Sequence, residues 1–196
     1  MTPQGPTYHH GALSEALIDT AFRHVQADGS ASLSLRSLAH ELGVSPSAAY
    51  NHFADKEALL NAVTAQCHVA LDQRMDAAAQ QFPGTSDADL IGRFQALGRA
   101  YIDFAEQEPR LFSHAFKNMC DFNPDAAAES RAYALLCSIL DELGERHLLR
   151  PGIREGLDMT IWVSVHGFAE LALSGNLPFA AAPLLIESLQ RLIIQD

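Results

Sequence analysis

The sequence predicts an all-α protein in two parts. A small N-terminal three-helix bundle holds a helix-turn-helix, and one long helix joins it to a larger C-terminal helical domain. Three observations carry this. Apolar residues recur at helical spacing along most of the 196 residues, and no run shows the period of two that a half-buried strand needs. Residues 33–60 read as two short helices around a tight turn, with a third beginning at once. Two segments near the C-terminus, residues 157–173 and 184–194, leave almost no polar face, so they must be buried on nearly every side.

In chain order, Met1–Thr7 carries Pro3, Gly5 and Pro6 and is expected to be a flexible arm. A helix over about residues 11–27 has Leu13, Leu17, Ala21 and Val25 as its stripe, and Gly29 lies just past its end. Leu35, Leu38, Ala39 and Leu42 give the next helix one apolar face, with Ser34 at its N-cap. Gly43 supplies a left-handed residue that stops it without a Cβ penalty. Ser45 caps the following short helix, Pro46 takes its first position, and Ala49 and Phe53 face inward. Such a unit places its second helix in the DNA major groove, although a plain helical corner has much the same apolar pattern.

The outer face of that second helix separates the two readings. Ser47, Ala48, Tyr50, Asn51 and His52 are too polar for a core, and hydroxyls and amides suit phosphates and base edges. The run LSLRSLAHELGVSPSAAYNHFADKEALL, with YHHGAL upstream, resembles the DNA-binding domain of the TetR family of transcriptional regulators. The resemblance rests on Leu38, Ala39, Gly43, Val44, Ser45, Leu59, Leu60 and the Y-x-H-F-x-x-K signature of Tyr50, His52, Phe53 and Lys56. It implies DNA contacts from Ser34, Arg36, Pro46, Ser47, Ala48, Tyr50, Asn51, His52 and Lys56. Pro46, Ser47, Ala48 and Asn51 would face the bases. The implied domains are residues 1–60 for DNA binding and 61–196 for effector binding and dimerisation.

The long helix runs from Lys56 to about residue 81 and is expected to act as a lever between the domains. Phe82-Pro83-Gly84 breaks it. A helix over about 87–107 aligns Phe94, Leu97, Tyr101 and Phe104. Pro109 opens a short helix with Phe112, Phe116 and Met119. Residues 120–124 read as a loop and about 125–148 as a further helix, broken by Pro151-Gly152. The two apolar C-terminal helices fit packing on the domain with one side and on a second subunit with the other. Leu185, Leu189 and Leu192 are the expected dimer contacts, and a symmetric dimer suits a palindromic operator. The W-x-x-x-H-G spacing of Trp162, His166 and Gly167, and the segment YIDFAEQEPRLFSHAF, resemble a TetR subgroup named for those residues. Trp162 and His166 lie one helical turn apart, and Gly167 is expected to allow close helix approach.

A ligand-responsive regulator, a repressor by resemblance, is therefore the leading expectation. Its effector would be an apolar or aromatic small molecule held by Phe94, Tyr101, Phe104, Phe112, Phe116, Met119, Cys137, Trp162 and His166. Each of these residues is equally compatible with plain core packing. A thiol redox sensor acting through Cys120 is a second reading. A helical enzyme or cofactor-binding protein is a third, with Cys120 and His114 as a possible pair. No G-x-S-x-G, phosphate-cradling glycine loop, H-E-x-x-H or C-x-x-C motif appears, so no catalytic residue, cofactor or metal is expected. Three scattered cysteines and the lack of a signal-peptide pattern or membrane-length apolar run fit a cytoplasmic protein with no membrane partner. The net charge of −11 argues against indiscriminate nucleic-acid binding. Only Arg23, Arg36 and Lys56 supply cations within residues 1–66, so DNA binding must lean on helix dipoles, hydroxyls and backbone amides.

Overall fold

The computed structural model describes residues 10–117 and 130–195, which hold nine α-helices, one 3-10 turn and no strand. They divide into two compact units, residues 1–69 with 110–118, and residues 70–109 with 119–196.

The first unit contains α1 (His10–Asp28), α2 (Leu35–Glu41), α3 (Pro46–Tyr50), the beginning of α4 (Lys56–Ala79) and all of α6 (Pro109–Phe116) but its first residue. Leu17, Ala21, Val25, Leu38, Ala39, Ala49, Leu59 and Val63 are its fully buried centre. The helix α6 closes onto it. Its His114 Nε2 lies 3.2 Å from Thr64 Oγ1 and 3.3 Å from the Leu60 carbonyl. Phe116 meets the His68 ring edge-on at 5.4 Å, and Phe112 packs on Phe116 at 4.8 Å. Phe112 and Phe116, expected around the effector, are thus core of this unit.

The second unit is built around α5 (Asp87–Gln107), against which α7 (Arg131–Glu145), α8 (Leu157–Leu173) and α9 (Ala182–Ile193) pack. Ser86 and Asp89 form a capping box at the start of α5, and the Ser86 hydroxyl holds the Asp89 carboxyl below its ordinary range. The start of α7 is tied to α4. Ser130 caps it, Asp72 Oδ1 accepts from Ala132 N at 2.9 Å, and Arg131 pairs with Asp76 at 2.8 Å. The helix expected from about residue 125 is therefore described from Arg131 only. The expected loop at 120–124, with Cys120, and Met119 lie outside the described residues. A short antiparallel bridge between Leu149 and Ile194 clasps the chain after α9 to the loop after α7.

Two expectations about the C-terminal helices change. Leu189 points into its own unit and is 7% exposed, Leu185 is half-buried, and of the three expected contacts only Leu192 stands clear, at 68%. The uncovered apolar residues are instead Val163 and Leu171 on α8, Leu184 and Leu192 on α9, and Leu177 between them. A Cβ on Gly167 would meet nothing within 4 Å, so among the described residues no helix approaches closely there. The close approaches occur on α5, where Gly92 admits the Phe82 ring and Gly98 admits Ile186.

Candidate DNA-binding surface and effector cavity

The reading head is set by two serine caps and a glycine. Ser34 Oγ accepts from Ser37 N at 3.1 Å at the start of α2, and Ser45 Oγ accepts from Ala48 N at 3.3 Å at the start of α3. Between them Gly43 takes φ +68° and Val44 N donates to Ala39 O at 2.9 Å, which turns the chain sharply. Pro46 occupies the first turn of α3. Ala49 is fully buried and Phe53 nearly so, which fixes the rotation of α3. Pro46, Ser47, Tyr50 and Asn51 are consequently exposed, with Ala48 and His52 half-buried beside them.

Ser34 and Arg36 are exposed at the start of α2. Lys56, at the start of α4, donates from Nζ to the Ala31 carbonyl at 3.0 Å, which pins the loop ahead of α2 to the helix after the motif. Its charge stays at that corner while its reach is shortened. The structure thus gathers Pro46 through Tyr50 on one short helix, Asn51 and His52 in the turn that ends it, and Ser34, Arg36 and Lys56 at the heads of the flanking helices. Such an arrangement offers amides and hydroxyls to phosphates and short polar side chains to base edges. Arg110 also belongs to this unit, where it donates to the Ala27 carbonyl.

The second unit encloses an apolar cavity of about 30 Å³. Met75 closes it from α4, Phe94, Leu97, Gly98 and Tyr101 from α5, and Ala132 and Leu136 from α7. Ile161, Trp162 and Val165 complete it from α8, and Ile186 and Leu189 from α9. Of the expected ligand residues Phe94, Tyr101 and Trp162 line it. His166 stands behind Tyr101, its Nδ1 sharing a hydrogen bond with the Tyr101 hydroxyl at 2.8 Å. The Trp162 ring meets Tyr101 edge-on at 5.2 Å and lies nearly parallel to His166 at 6.2 Å. Burial pushes the Tyr101 hydroxyl well above its ordinary value, helped by Glu170. Burial likewise lowers His166, against the opposing pull of Glu170 at 4.0 Å. Both side chains are neutral near pH 7.

Phe104, Phe112, Phe116 and Cys137 do not line this cavity. Phe104 is buried under the Arg74 guanidinium, 5.1 Å from its ring centre. Phe112 and Phe116 belong to the first unit, and Cys137 sits in a shallow groove on α7 beside Tyr133 and Asp141. The sequence reading missed Met75, Leu136, Ile161, Val165, Ile186 and the interior position of Leu189. Met75 carried a signal: Leu59, Val63, Cys67, Leu71 and Met75 recur every fourth residue and are all buried. Tyr133, also unforeseen, meets Trp162 edge-on at 5.8 Å and donates to Asp158, which Arg154 grips at 3.1 Å.

The surroundings of the two described thiols favour the protonated form. Burial pushes Cys67 up to about 12, and burial with the nearby Asp158 raises Cys137. Among the described residues no group of three metal-binding side chains comes together, and no helix is long and apolar enough to cross a membrane.

Comparison with known proteins agrees with this geometry. Residues 94–194 match the family model described as tetracyclin repressor-like, C-terminal domain, and residues 17–63 match that of bacterial regulatory proteins, tetR family. No curated protein matches. Among solved structures, a Rhodococcus sp. RHA1 protein of unknown function is 29% identical. It has a TM-score of 0.78, over 96% of this chain and 99% of that one. A TetR-family transcriptional regulator from Pectobacterium atrosepticum is 22% identical with a TM-score of 0.73, over 93% of each chain. SmeT, the repressor of the Stenotrophomonas maltophilia multidrug efflux pump SmeDEF, is 18% identical with a TM-score of 0.67, over 95% of this chain and 93% of that one. The last two likenesses concern the fold alone. With one model covering more than half of the chain and the other its helix-turn-helix, this protein belongs to the TetR family of transcriptional regulators, whose members bind DNA and small-molecule effectors and are not enzymes.

Proposed function

We propose that this regulator binds a palindromic operator as a homodimer and represses transcription until an apolar or aromatic small molecule occupies the cavity of the second unit. The observation that carries the DNA part is the outward face of α3. Ser47 and Asn51 are exposed immediately beyond a capped helix start, while Ala49 and Phe53 hold the opposite face in the core. The reading as a dimer draws on the uncovered leucines and valine of α8 and α9. The effector reading draws on a cavity that Phe94, Tyr101 and Trp162 line together.

Selection of bound sequences from a random duplex pool tests this directly. Two inverted half-sites are expected, with centres about one or two helical turns of DNA apart. Asn51→Ala should relax preference at one position in each half-site, since a good side-chain–base contact is worth about 1–3 kcal/mol of discrimination. A consensus without two-fold symmetry overturns the dimeric reading. A consensus that Asn51→Ala leaves untouched removes Asn51 from the base-reading set.

A further inference from the structure

The chemistry of the cavity wall and its size narrow what can enter. Of the residues lining it, Tyr101 alone can ionise below the range of arginine, and its hydroxyl is already engaged by His166 at 2.8 Å. Of the acids beyond the wall, Glu170 is half-exposed and lies 4.0 Å from His166 Nε2, and Asp158 is already engaged by Tyr133 and Arg154. An ionised group on a ligand would therefore leave water and meet no counter-charge, which is strongly disfavoured. Polarity thus selects against both carboxylates and amines.

Size is decided at one contact. At about 30 Å³ the cavity as it stands has room for one or two water molecules, and an aromatic ring enters only when a wall side chain swings aside. Apolar cavities that hold benzene have volumes of about 150 Å³. Gly98 on α5 has no side chain, and the hole it leaves is filled by Ile186 from α9. A Cβ on Gly98 would overlap the Ile186 Cδ1 atom, with Val165 Cγ2 at 4.0 Å on the other side. The Cδ1 end of Ile186 is the movable part of this wall, because it can swing away while the α5 backbone cannot.

We propose that the cavity binds a small, uncharged, hydrocarbon-like molecule, and that the contact between Gly98 and Ile186 sets how large a molecule it admits. The regulatory meaning of this site rests on the effector reading above, whereas its ligand chemistry can be tested without DNA.

Trp162 is the only tryptophan of the chain and lines the cavity, so its fluorescence reports occupancy directly. The full-length protein is titrated with toluene, benzoate and benzylamine, and binding is measured independently by calorimetry. Toluene should saturate the fluorescence change, and the two charged analogues should bind at least about 100-fold more weakly. Ile186→Ala should bind toluene about tenfold more tightly and admit naphthalene, because the cavity is enlarged. Gly98→Ala should weaken toluene by about tenfold, because a methyl group occupies the same space. If Gly98→Ala does not fold, Ile186→Val and Ile186→Ala give a graded pair that must follow the same order.

Comparable affinity for toluene and benzoate overturns the proposal. So does an absence of toluene binding in both wild type and Ile186→Ala, or a size preference indifferent to these substitutions. Operator release separates this proposal from the effector reading. Ring ligands that bind as expected yet leave operator DNA bound would remove the effector role and leave the site chemistry standing. A charged compound that releases the operator without altering Trp162 fluorescence would place the effector elsewhere and overturn the effector reading, again leaving the site chemistry standing.

Discussion

His166 is the side chain whose protonation state matters most inside the second unit. Its Nδ1 and the Tyr101 hydroxyl share a hydrogen bond at 2.8 Å, and a charged ring there would have to be held in a largely apolar surrounding. Burial lowers its affinity for the proton below the ordinary value. The unfolded chain therefore takes up this proton first as pH falls. The stability owed to neutral His166 is complete above about pH 6.5 and declines below it, until the folded value is passed. The Asp158 carboxyl is held low, chiefly by Tyr133, so its contribution is lost in a separate and more acidic window, below about pH 4. Urea midpoints across pH 5 to 8 should fall with acidification in the wild type, and His166→Gln should flatten that slope. A wild-type midpoint that rises as pH drops from 7 to 5.5 would contradict the assignment. Periodicity made Phe94, Tyr101 and Trp162 legible as inward-facing, and they line the cavity. It made Phe112 and Phe116 equally legible as inward-facing, yet these serve the other unit. Spacing along a helix tells which residues are inside, and it is silent on which core they enter.

The same distinction governs α8 and α9. An amphipathic helix gives its phase away, as α5 and α7 do, because its polar face must point to water. Glu187, Gln190 and Arg191 give α9 a polar side that turns Leu189 inward, whereas α8 is apolar nearly all round and its outer face is open in the sequence. The folded chain resolves it. Leu184 and Leu192 stand out from α9 at 63% and 68% exposure, and Val163 and Leu171 from α8 at 57% and 47%. The hydroxyls of Thr160 and Ser164 on α8, and of Ser174 at its C-cap, are satisfied by carbonyls four residues earlier in the same helix. Gly167 lies between Val163 and Leu171 with nothing opposite it. In the proposed dimer its expected close approach would be to a second copy of α8, which a missing side chain would let near. Burying a leucine fully contributes about 1.5–3 kcal/mol, so Leu184→Asp with Leu192→Asp should split the dimer while leaving each unit helical. Sedimentation should report monomers, with circular dichroism unchanged. Leu189→Asp should instead unfold the second unit, because it puts a charge into the cavity wall. An intact dimer from the double aspartate variant would move the interface off these helices.

Charge is the property of the entire chain that bears most on DNA binding. With 24 acids against 13 Lys and Arg, the protein as a whole is repelled by a polyanion, and affinity must come from a few placed groups. The sequence made most of those groups legible, because caps, Gly43 and the signature residues are local features that need no tertiary contact. It did not reveal that α6 brings Arg110 into the same unit, since that is a packing event across more than eighty residues. Nor did it reveal how the cations are employed. Arg23 folds back on its own helix, donating to Thr20 Oγ1 at 3.1 Å, and Arg110 serves the Ala27 carbonyl. Arg36 is exposed, and Lys56 holds its charge at the head of α4. Counting Arg36 and Lys56 in each of two subunits gives four neutralised phosphates, and thus a slope of log affinity on log salt of about −3.6. Arg36→Ala removes two of the four and should bring the slope to about −1.8, weakening binding to all sequences alike. Arg23→Ala should leave the slope unchanged. Affinity for one operator, measured across a tenfold range of salt for the three proteins, decides the matter. A wild-type slope near twice the expected value would mean that Arg23, Arg110 or other cations also reach the DNA. A slope unmoved by Arg36→Ala would mean that α2 does not lie against the phosphates.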